Sequence, residues 1–309
     1  MNHDDLPLPI DLYALGRGVA YAATLMLIGA CAFAVLVPRW RRTGDDDRSL
    51  AARSLAGAWR VASLAAILLL LAHLLRAWGQ VRSFLDPAES FTWEAAQPVL
   101  FSTTWGRGWL AQLAAAALTL PLTLLAPRRP ALGLALLGSA AVAVAGTSPL
   151  TGHAVEHPWG AGLGVGLHAL HLLGGGLWLG TLFTMFRAGL VIARDADATD
   201  VAEMVAAFSP LALVGAALAV GAGFLLAFAY IGEFAALWGT SYGRALLIKL
   251  CLLATALGFG AWNWRRVRPR LGSPAATVEL RRSAGLELLV GLALIAVTAV
   301  LVALPAPKL

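Results

Sequence analysis

Eight long apolar runs decide what this chain can become. They lie at 14–37, 57–78, 106–126, 131–149, 161–186, 209–231, 244–264 and 284–304. A helix needs roughly 20 apolar residues to cross the hydrocarbon core of a bilayer, and every run is near or above that length. Inside lipid the backbone must satisfy its own hydrogen bonds, so unbroken runs of this kind span as helices. The sequence therefore predicts an all-α fold: a polytopic bundle of about eight transmembrane helices, forming a single transmembrane domain over 1–309. Composition agrees, since 59% of the 309 residues are hydrophobic and 13% charged, with a mean hydropathy of +0.76. A soluble domain of this size is far more polar. Membrane lipid is the first partner implied.

The net charge of +6 does not point to nucleic acid, because the arginines sit in short links between apolar runs. Arg39, Arg41, Arg42, Arg48 and Arg53 follow the first run; Arg128 and Arg129 follow the third; Arg187 and Arg194 follow the fifth; Arg265, Arg266, Arg268, Arg270, Arg281 and Arg282 follow the seventh. These four links share one side, which the positive-inside rule makes cytoplasmic. Both termini are then extracytoplasmic. The start, MNHDDLPLPIDLYALGRG, is acidic and lacks the basic segment of a cleavable signal, so the first run is expected to remain as a helix. The link 187–208 is expected to hold a short surface helix, and no internal repeat stands out.

All six histidines fall on the extracytoplasmic side or in the outer part of a run. His3 is in the N-terminal tail, His153 and His157 are in the link TGHAVEHPWG, His168 and His171 open the fifth run, and His73 closes the second. Ionisable residues within a span are costly and face the bundle interior or a water-filled cavity. His168 and His171, three apart, share a helix face, and Trp178 is expected on the His171 face. His153 and His157 share a face only if their link is helical. Imidazole suits copper, zinc, iron and nickel, so His153, His157, His168 and His171, with His73 reaching across the bundle, form a candidate transition-metal site. A free amino terminus with His at position three also offers square-planar nitrogens of the kind Cu(II) favours. Met1, Met26, Met185 and Met204 are too few for a thioether-lined Cu(I) path, and Cys31 and Cys251 lack a CxxC partner and read as small buried hydrophobes.

Other features have structural readings. Glycines crowd the fifth run, which favours close helix contacts and a central position. Trp59, Trp78, Trp93, Trp105, Trp109, Trp159, Trp238, Trp262 and Trp264 lie near run ends and read as interfacial anchors. Glu287 is expected to pair with Arg282 or another basic residue, and Arg244 and Lys249 to reach the interface or pair with Glu233 or Glu94. No nucleophile–base constellation or phosphate-cradling loop appears, so no enzymatic activity is expected.

The stretch TGHAVEHPWGAGLGVGLHALHLLGGGLWLGTL resembles the copper resistance protein D signature. Its elements here are Gly152-His153-Ala154, then Leu170-His171-Leu172-Leu173, then Gly176-Leu177-Trp178-Leu179-Gly180. TTWGRGWLAQL (103–113), TSYGRALLIKL (240–250) and the last run with Glu287 resemble further segments of that family, most clearly over 100–305. The resemblance implies a multi-pass protein of the bacterial inner membrane that transports or delivers copper, with a periplasmic CopC-type copper-binding protein acting in trans. A different reading is a haem b electron-transfer protein with His73 and His168 or His171 as axial ligands; a third is an assembly factor whose histidines are structural.

Overall fold

The structure is a computed structural model that describes residues 12–41, 46, 48–86, 88–193 and 197–307, apart from the His153 side chain. The readings that fall on Met1, His3, Arg42, Arg194 and Asp195 lie outside the described residues. Among the described residues, eight helices are long and apolar enough to cross a membrane and no strand occurs. The spans are α1 (Leu12–Arg39), α2 (Leu50–Arg82), α4 (Thr104–Leu125), α5 (Pro130–Thr151), α6 (Ala161–Leu190), α7 (Ala198–Ile231), α8 (Ser241–Arg270) and α9 (Pro274–Leu301). A short helix, α3 (Trp93–Ser102), precedes α4. The chain is a multi-pass membrane protein.

Most helices are longer than their apolar runs, because hydrogen-bonding side chains close them beyond the apolar stretch. Ser49, Thr103, Asp197, Thr240 and Ser273 each accept a backbone N–H in the first turn of the helix that follows, which satisfies one of the orphan donors at a helix start. Asp197 thereby begins α7 eleven positions before the apolar run at 209. The expected separate surface helix in 187–208 is instead the first turns of α7, a correction with a clear cause.

α1 is the centre of the bundle and packs against α2, α5, α6 and α9, while α6 also lies along α7, and α8 pairs with α9. The glycine-rich fifth span does sit centrally. At Gly29 of α1 and Gly180 of α6 the backbones touch so closely that a Cβ on Gly180 would overlap the Leu25 carbonyl oxygen. Small residues permit such contacts where lipid gives no hydrophobic drive.

α4 and α8 begin with the same device. Thr103-Thr-Trp-Gly-Arg and Thr240-Ser-Tyr-Gly-Arg each start a helix from a threonine that caps the glycine N–H at 2.9 Å. Each threonine also donates its hydroxyl to the carbonyl four residues back, at 2.7 Å. Arg107 and Arg244 donate to Thr104 and Ser241, both at 3.4 Å, so Arg244 pairs with neither Glu233 nor Glu94 among the described residues. The two helices run the same way through the bundle.

Candidate metal site

Three of the described histidines, His157, His168 and His171, lie at one end of the bundle, along the seam between α6 and α7. The 3-10 turn His153–Glu156 stops at His157, whose backbone is extended, so the two loop histidines do not share a helix face. His157 is buried. Its Nδ1 accepts the Trp159 backbone N–H at 3.1 Å, which requires the neutral ring to carry its proton on Nε2. That Nε2 has no hydrogen-bond partner. The ring stands edge-on to Trp159 and Tyr230, with centroids 5.4 and 5.2 Å away. Burial holds the His157 pKa below the ordinary imidazole value, since desolvation disfavours the charged ring.

His168 and His171 are half-buried on α6. His168 Nδ1 lies 2.9 Å from the Gly164 carbonyl oxygen, and His171 Nδ1 lies 2.7 Å from the Ala219 carbonyl oxygen on α7. A carbonyl can only accept, so both Nδ1 atoms carry the proton and both Nε2 atoms carry the lone pair. This is the orienting hydrogen bond that metal-ligating histidines make. The Tyr230 ring also contacts His168, at 5.9 Å. From the end of the bundle inward the seam therefore presents His157 with Tyr230, then His168, then His171. Gly223 leaves room for the deepest ring: a Cβ there would lie 2.9 Å from His171 Cε1.

His73 stands elsewhere. It is buried on α2, which at this level packs against α1 and α4, and its own carbonyl accepts the Trp109 indole N–H at 3.0 Å. Arg76 follows one turn on, and its guanidinium makes the surroundings of His73 unfavourable to a second cation. Among the described residues, no three His, Cys, Asp or Glu side chains are close enough to hold one ion.

Several side chains depart from their sequence readings. Trp59 and Trp109 are buried rather than interfacial, whereas Trp78, Trp93, Trp159, Trp238, Trp262 and Trp264 are exposed. Cys251 faces outward, and only Cys31 is buried. A π-helical turn spans Gly176–Gly180, and Trp178 packs against Ala212 and Ala216 of α7, the helix whose Ala219 meets His171, as its place on the His171 face predicts. Its indole N–H reaches Glu287 Oε1 at 3.1 Å. Glu287 pairs with no arginine among the described residues; its Oε2 accepts from Asn263 at 3.3 Å, and Asn263 in turn accepts the Ser283 hydroxyl at 2.5 Å. Tyr230 was missed because an aromatic near a span end looks like any interfacial anchor. Arg17 and Arg76, also missed, carried a usable signal: each is a charge within or at the edge of an apolar run.

The sequence matches known proteins along most of its length. Residues 8–165 match the family described as copper resistance protein D-like, N-terminal domain, and residues 202–301 match copper resistance protein D. The copper transport protein CutJ of Bacillus subtilis (strain 168) is 30% identical over 159 residues, covering 51% of this chain and 28% of CutJ. The matched stretch thus spans little more than a quarter of that relative. No solved structure matches.

Proposed function

From the premise that this chain belongs to the copper resistance protein D family, which gives it a copper-related function, we propose that it transports or delivers copper and holds the ion along the α6–α7 seam. The observation that carries this reading is the pair of carbonyl-anchored imidazoles: His168 and His171 each direct an Nδ1 proton to a backbone oxygen, leaving Nε2 basic. Neutral imidazole is a good copper ligand, and fixing the ring orientation strengthens it. His157, with its proton on Nε2, is the outer gatepost in this reading, able to ligate after its Nδ1 contact with Trp159 is released. His153 is retained as a further ligand on the sequence reading alone.

The arginine distribution supports placing the histidine end on the extracytoplasmic side of a bacterial inner membrane. A periplasmic copper-binding protein of the CopC type acting in trans is the proposed exchange partner there, and the role is that of a carrier rather than an enzyme. The haem reading needs His73 to face His168 or His171; the packing of α2 against α1 and α4 lends it no support.

The test is a copper titration of the purified protein beside the double variant His168→Ala, His171→Ala, with cellular copper content measured in parallel. Copper affinity should fall by at least about tenfold. Unchanged affinity and unchanged cellular copper would sink the assignment.

A further inference from the structure

A second polar cluster lies at the histidine end of the bundle, between α1, α2, α4 and the end of α5. Arg17 and Arg76 are 8% and 4% exposed, and both guanidinium groups stand over the Tyr13 ring, 4.7 and 5.7 Å from its centroid. Neither has a carboxylate partner among the described residues. Arg76 donates to Gln112 Oε1 at 2.6 Å and to Thr151 Oγ1 at 2.5 Å, yet its Nε has no acceptor; Arg17 Nη1 has none either. Two buried positive charges without a counter-charge are strongly unfavourable unless something negative joins them.

Arg17 lines a cavity of about 300 Å³, together with Thr104, Trp105, Thr151, Gly152 and Glu156. Thr151 Oγ1 accepts from both Arg76 and Gln112, at 2.5 and 3.0 Å, so its own hydroxyl proton points away from them. The buried wall therefore offers donors. The one carboxylate among the described lining residues, Glu156, is exposed. Arg17 stands in the second turn of α1, Thr104 starts α4 and Gly152 follows α5, so the cavity lies at the ends of these spans.

We propose that this cavity binds a phosphate group, held by Arg17 and Thr151 and balanced by the charge of Arg76. The guanidinium fork matches a phosphate face. Inorganic phosphate as the dianion offsets both cations and a phosphodiester offsets one of them, and the volume exceeds what a halide would fill. The phosphate can come from solution or from a phospholipid headgroup.

The test uses the whole protein in a maltoside detergent, which carries no phosphate, by thermal unfolding. One arm adds inorganic phosphate, compared with chloride at equal ionic strength; the other adds phosphatidylglycerol to the micelles. The wild type should unfold about 3 °C or more higher in one arm, which identifies the source. Arg17→Gln should lose that response, and without anion it should unfold no earlier than the wild type, because it removes a buried charge that meets no carboxylate among the described residues. Arg17→Lys keeps the charge without the fork and should respond less than the wild type, which decides the matter if the Gln variant does not fold. A wild type indifferent to both arms, or an Arg17→Gln variant that responds fully, overturns the proposal. Copper titration at the imidazole seam reads independently of this result.

Discussion

His171 Nδ1 lies 2.7 Å from the carbonyl oxygen of Ala219, 48 positions further along the chain. One hydrogen bond thus ties the deepest imidazole of α6 to the backbone of α7 and sets which ring nitrogen keeps its lone pair. The seam is a relationship between two helices rather than a property of either.

Gly223 tests that relationship without touching a ligand. A Cβ at this position would lie 2.9 Å from His171 Cε1 and 3.0 Å from Nδ1, so Gly223→Ala should turn the ring off the Ala219 carbonyl. Losing an orienting partner of this kind costs roughly 10–100-fold in metal affinity. Copper titration of the variant should show a loss in that range with His171 still present.

His157 makes stability depend on pH. Its pKa is lowered by burial, so the unfolded chain takes up a proton before the folded one does. The stabilisation is complete above the unfolded imidazole value of about 6.5 and is lost as pH falls through the folded value. Thermal unfolding between about pH 7 and pH 5 should therefore move to lower temperature as acid is added. His157→Asn, which can still accept the Trp159 N–H, should flatten that dependence.

Glu287 accepts hydrogen bonds from Trp178 on α6 and Asn263 on α8. Glu287→Ala would leave the buried Trp178 N–H and the half-buried Asn263 N–H unpaired, at about 1–3 kcal/mol each. Unfolding in detergent should reveal a loss of roughly 2–6 kcal/mol, with Glu287→Gln, which keeps one acceptor oxygen, falling between. Equal stability of the wild type and the Ala variant would show that these contacts contribute nothing.

The contact of α1 with α6 has no room for a methyl group at Gly180. Overpacking a fitted interior costs about 1–3 kcal/mol when side chains can yield, and here the obstacle is the backbone of Leu25. Gly180→Ala should therefore reduce the yield of folded protein more than Gly166→Ala on the same span, where no atom lies within 4 Å. Size-exclusion profiles of the two variants provide the comparison.

Hydropathy alone determined the eight spans, because satisfying backbone hydrogen bonds within lipid leaves a chain little choice, and the density of glycines marked the fifth span as central. It also singled out His168 and His171, whose spacing of three sets them on one helix face. What each imidazole faces was left to tertiary structure. The same residue type became a carbonyl-anchored base at His171, a buried Nε2 donor at His157 and a neighbour of Arg76 at His73, because rotation about each helix axis follows from which surfaces fit together. Glu287 and Trp178 met for the same reason: the packing of α6 against α9 set the indole N–H beside a carboxylate 109 positions away. Periodicity along a chain specifies lengths and faces, while the partners across a seam depend on packing between segments far apart in sequence.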